Sequence, residues 1–248
     1  MTAVRLITIP FSHYCEKARW ALERCDVPYE EEKSLPLLHY VANRRAGAGR
    51  TVPVVVAGDE ILGDSTDIIA WADRQKPGAL LPHNDNDRAE AIAAEDEMDR
   101  QLGPATRRWA YYYLLSKKDV LYAIARAVPR WQQVAIRLGR PLATLALRRG
   151  LKIDAAGAER SRQKIDDLFA RVSERLADGR RFLVGGRFSV ADLTFASLAA
   201  PVLMPPEQPY AVAEPATFPA EAQAQLEAWR ASPAGQYGLR LYREQRRA

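Results

Sequence analysis

Val4-Arg5-Leu6-Ile7-Thr8-Ile9-Pro10-Phe11-Ser12-His13-Tyr14-Cys15-Glu16-Lys17-Ala18-Arg19-Trp20-Ala21-Leu22 is the stretch on which the fold turns. Its first six residues are mostly apolar and rich in β-branched side chains, the pattern of a buried strand, and Pro10 ends the run. Lys17 to Arg24 carries Ala18, Trp20, Ala21 and Leu22 without glycine or proline, which predicts a helix. Ser12 therefore stands where a strand becomes a helix. The free N–H groups and the positive end of the helix dipole favour an anion at such a point. A thiolate is one such anion, and a thiol pKa falls in that field. Serine is also a preferred N-cap, so the hydroxyl has a structural use in any case.

Strand and helix signals continue to alternate downstream. Pro28-Tyr29-Glu30-Glu31-Glu32-Lys33 suits an exposed edge strand, where charges are tolerated. Leu37 to Arg44 is expected to be helical, and a glycine-containing loop follows. Thr51-Val52-Pro53-Val54-Val55-Val56, a Gly58-Asp59 turn and Glu60-Ile61-Leu62 form a hairpin pattern. Ser65 to Gln75 closes the unit as a helix, with Ser65 expected as its cap and Ile68, Ile69 and Ala72 on its apolar side. The order is β-α-β-α-β-β-α. A stretch punctuated by proline and asparagine follows, and after it no strand signal appears. Ala89–Ser116 is expected as one long helix bent near Gly103-Pro104. Val120–Leu138 around Pro129, Ala158–Asp178, Glu221–Ala231 and Gly235–Gln245 complete the helical set. The expected division is an α/β unit over 1–78, a linker over 79–86 and an all-helical unit over 87–248.

Two further pieces resemble ligand sites. Proline inside the strand-like run at Val52-Pro53 cannot join a central ladder. A cis bond there would leave the Val52 backbone free to pair with a ligand. Asp64-Ser65 places an acid and a hydroxyl at a helix start, suited to an ammonium group and a carboxylate respectively. Ser189 and Asp192, three apart before an apolar run, have the spacing of a capping box, and Phe188 could staple against Leu193.

These segments, in this order, resemble the glutathione S-transferase superfamily, and most closely its serine-type, bacterial-like cytosolic members. The resemblance spans most of the chain outside about 119–155. It implies a thioredoxin-like N-terminal domain followed by a C-terminal helical bundle. It further implies that the protein activates the glutathione thiol for attack on a small electrophile, as a homodimer in the cytoplasm. Counting back from Arg19-Trp20-Ala21-Leu22 puts the catalytic position of serine- and cysteine-type members at Ser12. The tyrosine type has its residue in the first strand, where this chain carries Thr8. Glutathione would contact Ser12, Val52, Pro53, Asp64 and Ser65, with His13, Tyr14, Arg50 and Thr51 as further candidates. The C-x-x-C of redox relatives is reduced to Ser12-His13-Tyr14-Cys15, so their usual dithiol chemistry is not expected. Cys15 reads as a small buried hydrophobe, and His13 as a surface loop residue. A face formed by Trp109, Tyr112 and Tyr113 suits core packing at least as well as a substrate pocket.

Composition narrows the alternatives. At 248 residues, 48% hydrophobic and 27% charged, the chain has the makings of a folded protein. It lacks an uncharged apolar run of about 18 residues, so no membrane-spanning helix is expected. The apolar start is too short for a secretory signal. Two cysteines on one helix would lie about 15 Å apart, too far to pair. Three scattered histidines offer no metal-ligand spacing, and no metal is expected. The net charge of +5 is concentrated. Arg126, Arg130, Arg137, Arg140, Arg148, Arg149 and Lys152 face only Asp119 across 119–152, and Arg240, Arg243, Arg246 and Arg247 crowd the end. A solvated helical face explains such a patch, and no nucleic-acid-binding motif accompanies it. The competing readings are a glutathione-binding scaffold that uses 119–152 to meet a partner, and a thiol exchanger built on Cys15.

Overall fold

The segment from Val4 to Leu22 folds as its pattern dictates. In the computed structural model, which describes residues 3–210 and 213–246, strand β1 (Val4–Thr8) leads into helix α1 (His13–Arg24). Met1, Thr2, Arg247 and Ala248 lie outside the described residues. Helix α1 begins at His13 rather than Lys17 because Ser12 takes the N-cap, in extended backbone geometry. Strands β2 (Tyr29–Lys33), β3 (Val54–Ala57) and β4 (Glu60–Leu62) and helices α2 (His39–Arg45) and α3 (Ser65–Gln75) complete the α/β unit. The four-stranded sheet has the order β2-β1-β3-β4. β2 runs parallel to β1, which requires the α1 crossover, while β3 and β4 are antiparallel neighbours. The unit is thioredoxin-like, and its glutamate-rich strand is at the edge, as expected.

One cap differs from expectation. Asp64, not Ser65, caps α3: its carboxylate accepts from Thr66 N–H at 2.8 Å, and Ser65 is the first helical residue, buried. Aspartate one residue earlier reaches the free amides of the first turn equally well, so the helix gains nothing by starting later.

The remainder is helical. Asn84 caps α4 (Asp85–Leu114) by accepting from Asn86 and Asp87 N–H, each at 3.0 Å, so the helix starts before Ala89. α4 is assigned as one helix through Gly103-Pro104. The single helix expected around Pro129 is two, α5 (Lys118–Ala125) and α6 (Arg130–Gly150), with Pro129 as the α6 N-cap. Proline removes a backbone donor, which costs little at a helix start and much in its middle. α6 nevertheless continues past Gly139 and Pro141, beyond the expected end at Leu138. α7 (Ala155–Arg175), α8 (Val190–Leu203), α9 (Ala220–Ala231) and α10 (Pro233–Gln245) follow.

α8 is the axis of the bundle. Nearly all of its side chains are buried, as befits a helix that is apolar all round. Asp192 fastens its start, accepting from Ser189 N–H and Leu183 N–H at 2.7 Å each, from Ser189 Oγ at 3.1 Å, and from the Tyr237 hydroxyl. The core is continuous across the two units: Trp20 of α1 stacks on Phe188 at 5.8 Å and meets Tyr242 of α10 at 4.9 Å. Among the described residues, no helix is long and apolar enough to cross a membrane.

Candidate functional site

Strand register collects the sequence-flagged residues. Ile7 pairs with Val54, so the residues just before β3 lie beside the end of β1 from which Ser12 follows. Val55 pairs with Leu62, so Gly63 and Asp64 emerge at that same end of the sheet. Ser12, Val52-Pro53 and Asp64-Ser65 are therefore neighbours in the fold although they are spread over fifty-odd positions of sequence. The Val52-Pro53 bond is cis, and pairing of β3 begins only at Val54. Thr51 ties the loop to the start of α3: its hydroxyl donates to Gly63 O at 3.2 Å. Its carbonyl accepts from Asn43 Nδ2 at 2.7 Å, and the Arg50 carbonyl is 2.9 Å from His39 Nε2.

The Ser12 hydroxyl is half-buried and little used by the protein. It accepts from Cys15 N–H at a long 3.4 Å, and its own proton meets no acceptor among the described residues. Thr8, by contrast, is buried and donates to Glu31 Oε1 at 2.7 Å. Cys15 is buried, and burial pushes its thiol pKa up despite the nearby Arg19 guanidinium. Burial likewise pushes Cys25 up to about 12, and both cysteines are free thiols.

Behind Ser12, α1 is bolted to α4. Lys17, fully buried, reaches Glu95 at 2.5 Å and Asp99 at 2.7 Å, and Thr66 of α3 donates to Glu95 at 2.6 Å. Burial raises the Asp99 pKa, and the Lys17 ammonium opposes that shift. His13 and Tyr14 belong to the same joint. Tyr14 donates to the Asp99 carbonyl at 2.8 Å. His13 is buried rather than on a surface loop, with Nε2 3.0 Å from the Gly103 carbonyl. Burial and the Arg107 charge push its pKa down to about 3, so the neutral ring donates that bond. Gly103 makes the joint possible, because a Cβ there would fall 2.3 Å from the Tyr14 hydroxyl.

A narrow apolar cleft opens at Phe11, the residue before Ser12, between Phe11, Leu35 and Pro36 of the α/β unit and Tyr111, Leu114 and Ile136 of the helices. A second recess shares Phe11 and Tyr111 and adds His13, Arg107 and Tyr210. Sequence reasoning missed Phe11, Tyr111 and Tyr210. Phe11 sat inside the decisive stretch, and its place directly before Ser12 was the available signal. In the aromatic run, Trp109 is core, 4.8 Å from Trp229 and 5.6 Å from Phe218, and Tyr113 packs on it at 5.0 Å. The ring that lines the cleft is Tyr111, which the shared face of Trp109, Tyr112 and Tyr113 leaves out.

Among the described residues, no group of histidine, cysteine and carboxylate side chains is arranged to hold a metal ion. The arrangement can seat a peptide-like anion along the sheet end, with an apolar molecule next to it.

Comparisons with known proteins agree with this architecture. A family model described as the glutathione S-transferase N-terminal domain matches residues 6–80, and one described as the C-terminal domain matches residues 155–231. No curated protein matches the sequence. Among solved structures, the chain is similar to poplar glutathione transferase F1, at 15% identity over 98% of this chain and 99% of that one, TM-score 0.57. It is similar to a glutathione S-transferase of Methylobacterium radiotolerans in complex with glutathione sulfonate, at 20% identity over 96% and 95%, TM-score 0.57. A third is Ure2p5 of Phanerochaete chrysosporium, cocrystallised with 1-(S-glutathionyl)-2,4-dinitrobenzene, at 14% identity over 98% and 95%, TM-score 0.57. At such identities the likeness is one of fold.

Proposed function

The chain belongs to the glutathione S-transferase superfamily, and from that premise we propose that it activates the glutathione thiol for attack on a small electrophile. The observation that carries the proposal is the Ser12 hydroxyl, at the head of α1 and next in sequence to the cleft-lining Phe11, with its proton uncommitted among the described residues. In this reading Ser12 donates to the glutathione sulfur, and the helix N-terminus adds its field. A hydrogen bond to the charged form lowers a pKa, at about 1.4 kcal/mol per unit. Bringing a thiol from about 8.5 to near 7 takes about 2 kcal/mol, within the roughly 1.5–3 kcal/mol of one charge-assisted bond. The thiol proton passes to solvent, and the thiolate adds to an electrophilic carbon of the substrate held against Phe11 and Tyr111. The carbon–sulfur bond forms as that carbon's π bond opens, and the displaced electron pair takes up a proton from solvent.

The Val52 backbone, held out of the ladder before Pro53, pairs with the cysteinyl part of glutathione. Asp64 meets the γ-glutamyl ammonium, and Ser65 with the α3 N-terminus meets its carboxylate. Arg50 and Thr51 stand on the same loop as Val52. His13 and Tyr14, turned toward α4, hold the helix rather than the ligand. The buried Cys15 thiol, kept protonated by its surroundings, argues against the thiol-exchange reading. The family reading also carries a homodimer and a cytoplasmic location.

The test is the ultraviolet thiolate absorbance of enzyme-bound glutathione as pH is raised. The transition should lie below that of free glutathione, return to it in Ser12→Ala and stay in place in Cys15→Ala. Glutathione bound with no shift in the wild-type chain would instead favour a scaffold without turnover.

A further inference from the structure

We propose that α6, together with the exposed side of α2, docks on the surface of an anionic phospholipid bilayer. This proposal does not rest on the transferase reading. α6 has two apolar faces. Ile136, Ala143 and Leu147 wall the cleft, while Trp131, Val134, Leu138, Leu142 and Leu145 recur at helical spacing on the opposite, exposed side. Leu138 is 82% exposed, Leu142 75% and Trp131 56%. On the α2 side, exposed Val41 faces Trp131 across a polar groove that Glu32, Lys33 and Arg45 also line. Contiguous apolar surface of this kind marks a protein or membrane contact.

Charge selects the occupant. Arg130, Arg137 and Arg148, about two and three turns apart, lie along one flank of the stripe, and exposed Arg44 and Arg45 stand on the α2 side. No acidic residue occurs between Asp119 and Asp154, and among the described residues no α6 arginine pairs with a carboxylate. A second copy seated on this face would set arginine against arginine around a two-fold axis. A nucleic acid would neutralise the arginines and leave Leu138 and Leu142 in water. A bilayer interface supplies anions and hydrocarbon together, and tryptophan is at home at their boundary.

The full-length chain should cosediment with vesicles of equal phosphatidylcholine and phosphatidylglycerol, and not with phosphatidylcholine alone. Trp20, Trp71, Trp109 and Trp229 are buried, so a blue shift of tryptophan emission on binding reports Trp131. Leu138→Asp with Leu142→Asp should abolish both signals without altering the far-ultraviolet circular dichroism. Arg130→Ser with Arg137→Ser should weaken binding by roughly twenty-five-fold, at about fivefold per basic residue. Absence of vesicle binding, equal binding to both vesicle types, or binding that survives the double aspartate variant overturns the proposal. So does a wild-type oligomer that the double aspartate variant splits into smaller species, which would assign the face to a second copy.

Discussion

The helices that wall the apolar cleft, α4 and α6, are held by opposite means. α4 is fixed through buried charge: Glu95 and Asp99 enclose Lys17, and backbone carbonyls of Asp99 and Gly103 receive Tyr14 and His13. α6 is held by a few hydrogen bonds to uncharged partners. Gln132 accepts from Leu35 N–H at 2.7 Å and lies 3.3 Å from Ser34 Oγ, and Arg148 meets Ser116 at 2.7 Å. Its large apolar side chains point as much outward as inward. A helix pinned by buried charge has one position, because any displacement strands an ion away from water. A helix held by hydrogen bonds to uncharged partners at one edge keeps its outer face available. The first arrangement serves the placement of Ser12, and the second serves an encounter.

The largest way to break this contrast is Lys17→Met, which leaves Glu95 and Asp99 buried without their cation. Urea denaturation should show a loss of about 3–5 kcal/mol. Ser12→Ala should lower kcat/KM with glutathione by about 10- to 100-fold, the worth of one charge-assisted bond, while loss of its long N-cap bond costs no more than about 1 kcal/mol in urea denaturation. Gly103→Ala drives a methyl into Tyr14 and should cost about 1–3 kcal/mol of stability by overpacking, read by the same denaturation.

His13 sharpens the comparison through pH. Its folded pKa is pushed down to about 3 against an ordinary 6.5, so below 6.5 the unfolded chain binds a proton that the folded one refuses. Stability from this group is full above 6.5 and is lost as pH falls toward 3. The urea midpoint should decline between pH 6.5 and 4.5 more steeply in wild type than in His13→Gln, two pH values chosen to lie roughly within that window. Leu138→Ala, on the free side of α6, should change stability by no more than about 0.5 kcal/mol.

What the sequence disclosed was local. The strand run before Pro10, the caps near Ser12 and Asp64, the proline at 53 and the Ser189–Asp192 pair are written within a few residues of where they act, so they could be read directly. Lys17 was opaque for the opposite reason: its counter-charges stand at 95 and 99, and a lysine on an amphipathic helix ordinarily faces water. His13 was misplaced on the same account, since its partner is Gly103. Tyr111 escaped because helical spacing groups side chains by face without telling which face meets another unit. At α6, Gly139 and Pro141 look like a terminus, yet the helix runs through both, with Ile136, Ala143 and Leu147 on its cleft-lining side.

Arg246, the C-cap of α10, reaches back to Glu16 at 2.7 Å and to Glu23, on the helix that Ser12 caps. Helix α1 therefore draws its ionic partners at 95, 99 and 246 from outside the α/β unit. A fragment ending near residue 78 would lack all three, leaving Lys17 without its carboxylates and Ser12 at the head of a helix stripped of its long-range anchors.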